Sequence, residues 1–362
     1  MLRRENPSDA APNTAISRAP AARAAGAGPS AVAWPPPPAT GRPRADLVVL
    51  IVNFRTPELT IDALQTLAAE ASSLALHAVV LDNASGDDSV DRLQAAIHQH
   101  GWSPWVTLAR SATNRGFAGG NNAALEAAPD ADFVLMLNSD TLVRPGTLAA
   151  WTNFMRANPA VGAFAGRLSH RDGSFQVAGR RFPTPLRVLC GSLGLPWRFP
   201  RLFAFANTEY QGWDMTAIGG EVDWLGGAAV MVRREAVQQV GLLDTDFFFY
   251  GEDVEFSWRL WKAGWRVRYE PIGEIIHFGG ASSDPAKLPA SSRSIHSWRG
   301  RYLVQRKCFG RPAEWLARIL DLGFTAARLA LRSLTGRGRT PEADALRGTL
   351  ATLRRPLWSA GR

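Results

Sequence analysis

DLVVLIVNF (residues 46–54) is an apolar run of strand length that stops on Asn53. LALHAVVLDNAS (74–85) and ADFVLMLNSD (131–140) repeat the design, closing on Asp82 and Asn83 and on Asn138 and Asp140. A strand covered on both faces, as in a parallel sheet, reads as such a continuous run. Segments of helical period lie between them. PELTIDALQTLAAEA (57–71) carries Pro57 in its first turn, DDSVDRLQAAIHQH (87–100) follows the second run, and GFAGGNNAALEAA (116–128) opens after a glycine-rich turn. With WVTLAR (105–110) as a further short strand, this alternation predicts an α/β fold on a doubly wound, mostly parallel sheet. Ligands of such sheets bind at the carboxyl ends of the strands, where the topology switches. Asn53, Asp82, Asn83, Asn138 and Asp140 all stand at such ends.

Outward from this body the composition changes. The 362 residues are 46% hydrophobic and 20% charged, a balance that excludes collagen-like and wholly disordered chains. Residues 1–45 are dominated by Ala, Pro, Gly and Arg without a period that could bury a face, and read as a disordered, partly polyproline leader. Residues 160–222 lose regularity in a Pro-, Arg- and aromatic-rich stretch, expected to form loops and short helices on the substrate side. VDWLGGAAVMVRREAVQQVG (222–241) restores a strand and a helix, and EIIH (274–277) reads as a short strand. The division expected is a leader (1–45), a catalytic body (46–290) and a helical basic tail (291–362).

The net charge of +9 first points to nucleic acid, and its distribution argues otherwise. Residues 46–292 carry 20 basic and 26 acidic side chains, whereas residues 293–362 carry 15 and 4. An acidic body with basic ends does not present the ordered cationic face that a nucleic acid requires. Cys190 and Cys308 are too few for a disulfide framework or a four-cysteine metal site and read as buried apolar residues. No run approaches the ~18 apolar residues that span a bilayer, and no apolar segment follows Arg3 and Arg4 to make a secretory signal. The expected location is the cytoplasm, with the inner face of the membrane as an option.

Three acidic clusters can carry chemistry. Asp82 with Asn83, Ser85, Asp87 and Asp88 suits either a turn and helix cap or hydrogen bonds to a nucleotide base or ribose. Asn138-Ser139-Asp140 can cap a strand end or hold a hard cation that bridges phosphate oxygens. Glu252 and Asp253 follow the apolar wall DFFFY (246–250), where a carboxyl group gains the raised pKa of a general base; the alternative for Asp253 is a helix cap. His277 precedes flexible glycines and can be structural or touch a phosphate or metal. The glycines of NRGFAGGNN (114–122) do not make the G-x-G-x-x-G spacing of dinucleotide-binding folds.

Taken in order, VLIVNFRTPEL, VVLDNASGD, NRGFAGGNNAAL, FVLMLNSDT, WLGGAAVMVRREAVQQVGLLD, FFFYGEDVEFSWRLWKAGW and IIHFGGASS resemble family 2 inverting glycosyltransferases of the GT-A fold. The wording is most similar to the bacterial rhamnosyltransferase-like branch, which builds cell-surface polysaccharide. The resemblance implies that Asn53, Asp82, Asn83, Asn114, Gly116, Asn121, Asn122, Asn138 and Asp140 serve the nucleotide sugar. It implies Asp140 and His277 at Mg²⁺ or Mn²⁺, and Asp253, with Glu252, as the base of a Glu-Asp motif. Asn138 departs from the family's Asp-x-Asp pattern, which leaves the metal charge to Asp140. Implied partners are a nucleoside-diphosphate sugar, dTDP-rhamnose among them, and a glycan or lipid-linked acceptor.

A sugar-nucleotide pyrophosphorylase would share the nucleotide logic but needs a glycine-rich basic loop after the first strand, which NFRTPEL (53–59) lacks. In PAEWLARILDLGFTAARLALRSL (312–334), Glu314, Arg318, Asp321, Thr325, Arg328 and Arg332 form one narrow polar stripe on an otherwise apolar helix. Such a helix packs on the catalytic body or another subunit, or lies on an anionic membrane helped by Arg337, Arg339, Arg347, Arg354 and Arg355.

Overall fold

The computed structural model describes residues 44–210, 212–279, 290–336 and 339–354. Residues 1–43 of the expected leader, Gly280, Arg337 and Arg355 lie outside the described residues, and Ala45, placed in the leader, already opens the first strand. Strands β1 (Ala45–Asn53), β2 (Leu76–Asp82), β3 (Val106–Arg110) and β4 (Ala131–Asn138) are parallel, in the order β3-β2-β1-β4. Helices α1 (Pro57–Glu70), α2 (Ser89–Gln99) and α3 (Gly116–Glu126) connect them. The chain therefore winds outward from β1 and returns to its other side, opening a switch point between the carboxyl ends of β1 and β4. Register sets Asn53 beside Asp82 and Val52 beside Asn138. Leu47 to Ile51 are fully buried, each worth roughly 1.5–3 kcal/mol of apolar burial.

The second half adds β5 (Thr141–Val143), α4 (Thr147–Ala157), β6 (Val161–Ser169), β7 (Phe175–Gln176) and β8 (Gly179–Arg180). Helices α5 (Pro185–Ser192) and α6 (Leu195–Arg198) follow, then β9 (Gly220–Glu221), β10 (Trp224–Leu225) and β11 (Ala229–Arg233). Helices α7 (Arg234–Val240) and α8 (Glu252–Lys262) lead into β12 (Arg266–His277). The sheet continues from β4 as β11-β6-β12-β5, with β11 antiparallel to β4 and β6 and β12 parallel to β6. Helices α9 (Ala290–Phe309), α10 (Arg311–Leu334) and α11 (Pro341–Arg354) close the described chain.

Several expectations are corrected. Residues 161–169 form a buried inner strand rather than a loop, disguised by small residues. A Cβ on Gly166 would lie 2.3 Å from Trp151 Nε1 and 2.4 Å from the Ile272 carbonyl, so packing demands a residue that weakens the apolar signal. His277 ends a 12-residue strand, not a four-residue one, because β12 runs past a register shift beside β6. The expected strand in WLGGAAVMVR breaks at Gly226–Ala228, between β10 and β11.

The tail also joins the body earlier than expected. Leu303 and Val304 of α9 share a core with Phe182, Phe247 and Val254. From Glu314 to Thr325 the polar stripe of α10 turns inward: these two are buried, and Asp321 accepts from Arg301 Nε at 2.9 Å and from the Tyr302 hydroxyl at 3.1 Å, whereas Arg328 further along is exposed. Packing through an apolar face would have hidden the opposite side. Both cysteines are buried free thiols, as expected.

Candidate active site

A cavity of about 450 Å³ opens at the switch point. Val52 and Phe54 from the end of β1, Asn138, Ser139 and Asp140 from the end of β4, and Glu252 and Asp253 from the first turn of α8 line it. Asn83, Asn114, Gly116 and His277 complete the set of expected residues that reach it. Sequence reasoning missed Gln176, Arg180, Gly226, Gly227 and His296, all of which line the same cavity. Only the Pro- and Arg-rich composition of residues 160–222 pointed toward Arg180 and Gln176, and the expected boundary at 290 set His296 apart.

Asn53 and Asp82 do not line it. Asp82 Oδ1 accepts from Asn53 Nδ2 at 2.8 Å and from Ser85 Oγ at 2.5 Å, and its Oδ2 accepts from Ser85 N at 3.1 Å. Asn53 Oδ1 in turn accepts from the Thr56 and Thr60 hydroxyls at 3.2 and 3.0 Å. The two side chains are therefore occupied in a buried network that locks the ends of β1 and β2 together. Thr56 Oγ1 lies 3.2 Å from Ser139 Oγ and carries that network to the cavity wall.

Asn83 organises the turn ahead of α3. Its Nδ2 donates to Asn114 Oδ1 at 3.1 Å and to the Gly116 carbonyl at 3.0 Å, while its Oδ1 accepts from Arg115 N at 2.9 Å. Gly116 has φ 70° and lies so close to the next loop that a Cβ would stand 2.1 Å from the Phe248 carbonyl oxygen. That carbonyl accepts from Phe117 N at 2.8 Å, docking the aromatic loop on α3. Asn121 and Asn122 face away from the cavity: Asn121 donates to the Phe117 carbonyl, and Asn122 clamps Leu243 through both its amide atoms.

On the opposite wall, β5 pairs with β12 so that Thr141 faces His277, which brings the imidazole to Asp140. His277 Nε2 lies 3.3 Å from Asp140 Oδ1 and 3.2 Å from Asn138 Nδ2, and Nδ1 lies 3.0 Å from the Gln176 amide. Nδ1 has both the oxygen and the nitrogen of the Gln176 amide within reach, and the tautomer that donates from Nδ1 to Gln176 Oε1 is the one that turns an Nε2 lone pair toward the Asp140 and Asn138 side.

The N-terminal turn of α8 carries two buried, perturbed carboxyl groups. Burial, reinforced by the adjacent Asp253 charge, pushes the Glu252 carboxyl up to about 8. Glu252 Oε2 is buried with no hydrogen-bond partner among the described residues. Burial also raises the carboxyl of Asp253, against hydrogen bonds from Val254 N at 2.8 Å and Gly227 N at 3.3 Å and the pull of the Arg180 charge. Two neighbouring carboxyl groups of this kind hold one proton between them near neutrality. Glu255, one turn on, is engaged elsewhere. It holds Arg259 at 2.9 Å, and Arg259 binds the carbonyls of Val240, Gly241 and Leu242.

Backbone strain gathers here too. The described non-glycine residues with positive φ are Arg55, Ala84 and Tyr250, at 58°, 59° and 72°. Tyr250 lines the cavity, and the other two each follow a lining residue, Phe54 and Asn83. Strain of this kind persists where surrounding contacts over-determine the backbone, most often at functional sites.

A sequence model of the family described as "Glycosyltransferase like family 2" matches residues 43–295, well over half the chain. This chain is a family 2 glycosyltransferase. The N-acetylglucosaminyl-diphospho-decaprenol L-rhamnosyltransferase of Mycobacterium tuberculosis is 30% identical to it over 238 residues, covering 62% of this chain and 73% of that protein. A low-salt glycan biosynthesis hexosyltransferase of Haloferax volcanii is 25% identical over 278 residues, 74% of this chain and 78% of that protein. In fold, the transferase is similar to a mannosyltransferase from Pyrobaculum calidifontis solved with GDP-Man and Mn²⁺, with a TM-score of 0.51 at 20% identity, over 90% of this chain and 84% of that one. The mixed, mostly parallel sheet is thus the GT-A sheet that the resemblance implied.

Whether the transferase's residues suit a divalent cation is a question of donor chemistry. Among the described residues no group of three or more His, Cys, Asp or Glu side chains forms a metal cage. The buried Asp140 carboxylate and the Nε2 of His277 make one face of a mixed oxygen and nitrogen site, with Asn138 beside them. Such a half-site fits a cation that takes its remaining ligands from phosphate oxygens and water.

Proposed function

We propose that this transferase moves a sugar from a nucleoside diphosphate to a hydroxyl of a glycan or lipid-linked acceptor, with inversion at the anomeric carbon. The observation that carries the reading is one cavity with Asp253 at one wall and the Asp140–His277 pair at another. Asp253 accepts the proton of the acceptor hydroxyl as that oxygen bonds to the anomeric carbon. The bond from that carbon to the diphosphate breaks on the opposite face, so one inversion results without a covalent enzyme intermediate. Asp140 and His277 hold Mg²⁺ or Mn²⁺, which when bound supplies positive charge to the departing diphosphate. Asn83, Asn114 and Gly116 shape the nucleotide-side wall, and the Asn53–Asp82 network keeps that wall in register. Asn122 supports it from behind by clamping α3 to Leu243, ahead of the aromatic loop, and Asn121 does so by bonding the Phe117 carbonyl within α3.

The proposed donor is dTDP-rhamnose, supported by the mycobacterial relative named for L-rhamnose transfer and a decaprenol-linked acceptor. The proposed location is the cytoplasmic face of the membrane. Among the described residues no helix is long and apolar enough to cross it, so the contact proposed is peripheral.

The test is a thermal-shift panel of nucleotide sugars with Mg²⁺ or Mn²⁺, since a ligand of the folded state raises its Tm, followed by the anomeric configuration of the product. Rhamnosyl transfer from dTDP-rhamnose with inversion is expected; retention of configuration would overturn the single displacement, and stabilisation by another sugar nucleotide alone would overturn the donor. Asp253→Asn is expected to abolish turnover while calorimetric donor binding survives. Near-normal turnover in that variant would remove Asp253 as the base.

A further inference from the structure

Glu314, Asp321 and Thr325 of α10 face the body, and Trp315, Ile319 and Leu334 of the same helix face out, at 65%, 62% and 85% exposure. A second exposed apolar segment lies next to it. Val188 of α5 shares a core with Ala317 of α10 and with Tyr302, which seats α5 against α10, and α6 and the residues to Phe205 pack on α5 to complete an arm. The outer side of that arm carries Trp197 at 88% exposure, Leu202 at 72% and Leu186 at 55%. Isolated exposed apolar side chains are ordinary, but large ones gathered on two packed elements mark an interaction surface.

The charges around it decide the partner. Arg198, Arg201 and Arg311 are exposed and form no ion pair among the described residues, and residues 183–208 contain no Asp or Glu. We infer that this face lies on an anionic lipid bilayer, with the tryptophans and leucines entering the headgroup region and the arginines meeting lipid phosphates. A second copy of the chain fits worse, because a two-fold contact would set this cationic patch against the same patch, with no acidic partner in residues 183–208 to answer it. The arm begins five residues after Arg180, which lines the cavity, so this element issues from the cavity wall. On the proposed function, an acceptor carried by the bilayer is thereby presented beside the cavity; the surface itself does not depend on that reading.

The test is co-sedimentation of the full chain with vesicles of equimolar phosphatidylglycerol and phosphatidylcholine, and with phosphatidylcholine alone. Strong binding to the anionic vesicles, weakened by salt, is expected. Trp197→Ser with Leu202→Ser and, separately, Trp315→Ser with Ile319→Ser should each weaken it about tenfold or more. Arg198→Gln with Arg201→Gln should erase the preference for anionic lipid. All these side chains are exposed, and unchanged melting temperatures check that the fold survives. Failure of the parent chain to bind, or equal partitioning of the variants, overturns the proposal; so does sedimentation velocity showing that the substitutions dissolve a dimer without changing vesicle binding. Donor-induced thermal stabilisation in the same variants reads the proposed function separately and should be unchanged.

Discussion

At pH 7 the folded chain keeps a proton on Glu252 that an exposed glutamate would have lost, and Glu252→Gln makes that neutral state permanent. Burial, with the charge of Asp253, moves this carboxyl from 4.5 to about 8. Below pH 4.5 the group is protonated in the folded and unfolded chains alike and contributes nothing to pH dependence. Between the two values the unfolded chain releases the proton and the folded chain retains it, so stability falls as pH rises. At about 1.4 kcal/mol per pH unit, the loss reaches a ceiling of about 5 kcal/mol at pH 8. Glutamine has nearly the same shape and does not titrate. Urea unfolding followed by tryptophan fluorescence should give similar stabilities for parent and variant near pH 5. Above pH 8 the variant should be the more stable by several kcal/mol. Parallel stability curves from pH 5 to 8.5 would refute the reasoning, since they would mean that Glu252 is not a buried acid.

Three more outcomes follow from the same geometry. Asp140→Ala should remove metal-dependent donor binding, because the charged half of the Asp140–His277 pair is lost; unchanged calorimetric affinity with and without EDTA would count against it. Gly116→Ala should cost about 2–4 kcal/mol in urea unfolding, because its Cβ meets backbone at a positive φ and no rotamer can relieve the clash. Arg180→Gln removes a positive charge that lowers the Asp253 carboxyl, so the pKa governing kcat/KM should move up, a shift that a pH profile reads directly. An unmoved profile would place Arg180 outside the electrostatic reach of Asp253.

Much of the first half of the fold was legible because its signals are local. Runs such as 47–52 and 133–137 are apolar throughout since they are covered on both faces, and Pro57 marks the first turn of α1. β6 was hidden for an equally physical reason: Gly162 and Gly166 are small because Trp265 and Trp151 press on that face of the strand, so steric demand weakened the hydrophobic pattern. The cavity shows the same division. Asp140, Asp253 and Glu252 were found from their places at a strand end and behind an aromatic wall. Gln176, Arg180 and His296 reach the cavity from β7, β8 and α9, and no local pattern marks an encounter between elements so far apart in sequence.

The amino-acid sequence alone determined the alternating α/β body, the strand ends at which polar residues gather and the order of motifs that marks the family, because periodicity and turn chemistry act over a few residues. Tertiary structure alone decided which polar groups face the cavity. Asp82 and Asn53 satisfy each other in a buried network, whereas Asp140 meets His277 only through the pairing of β5 with β12. It also decided the direction of α10, whose stripe could be read from the sequence but whose buried side could not. That choice depended on Arg301 and Tyr302 of another helix waiting to receive Asp321.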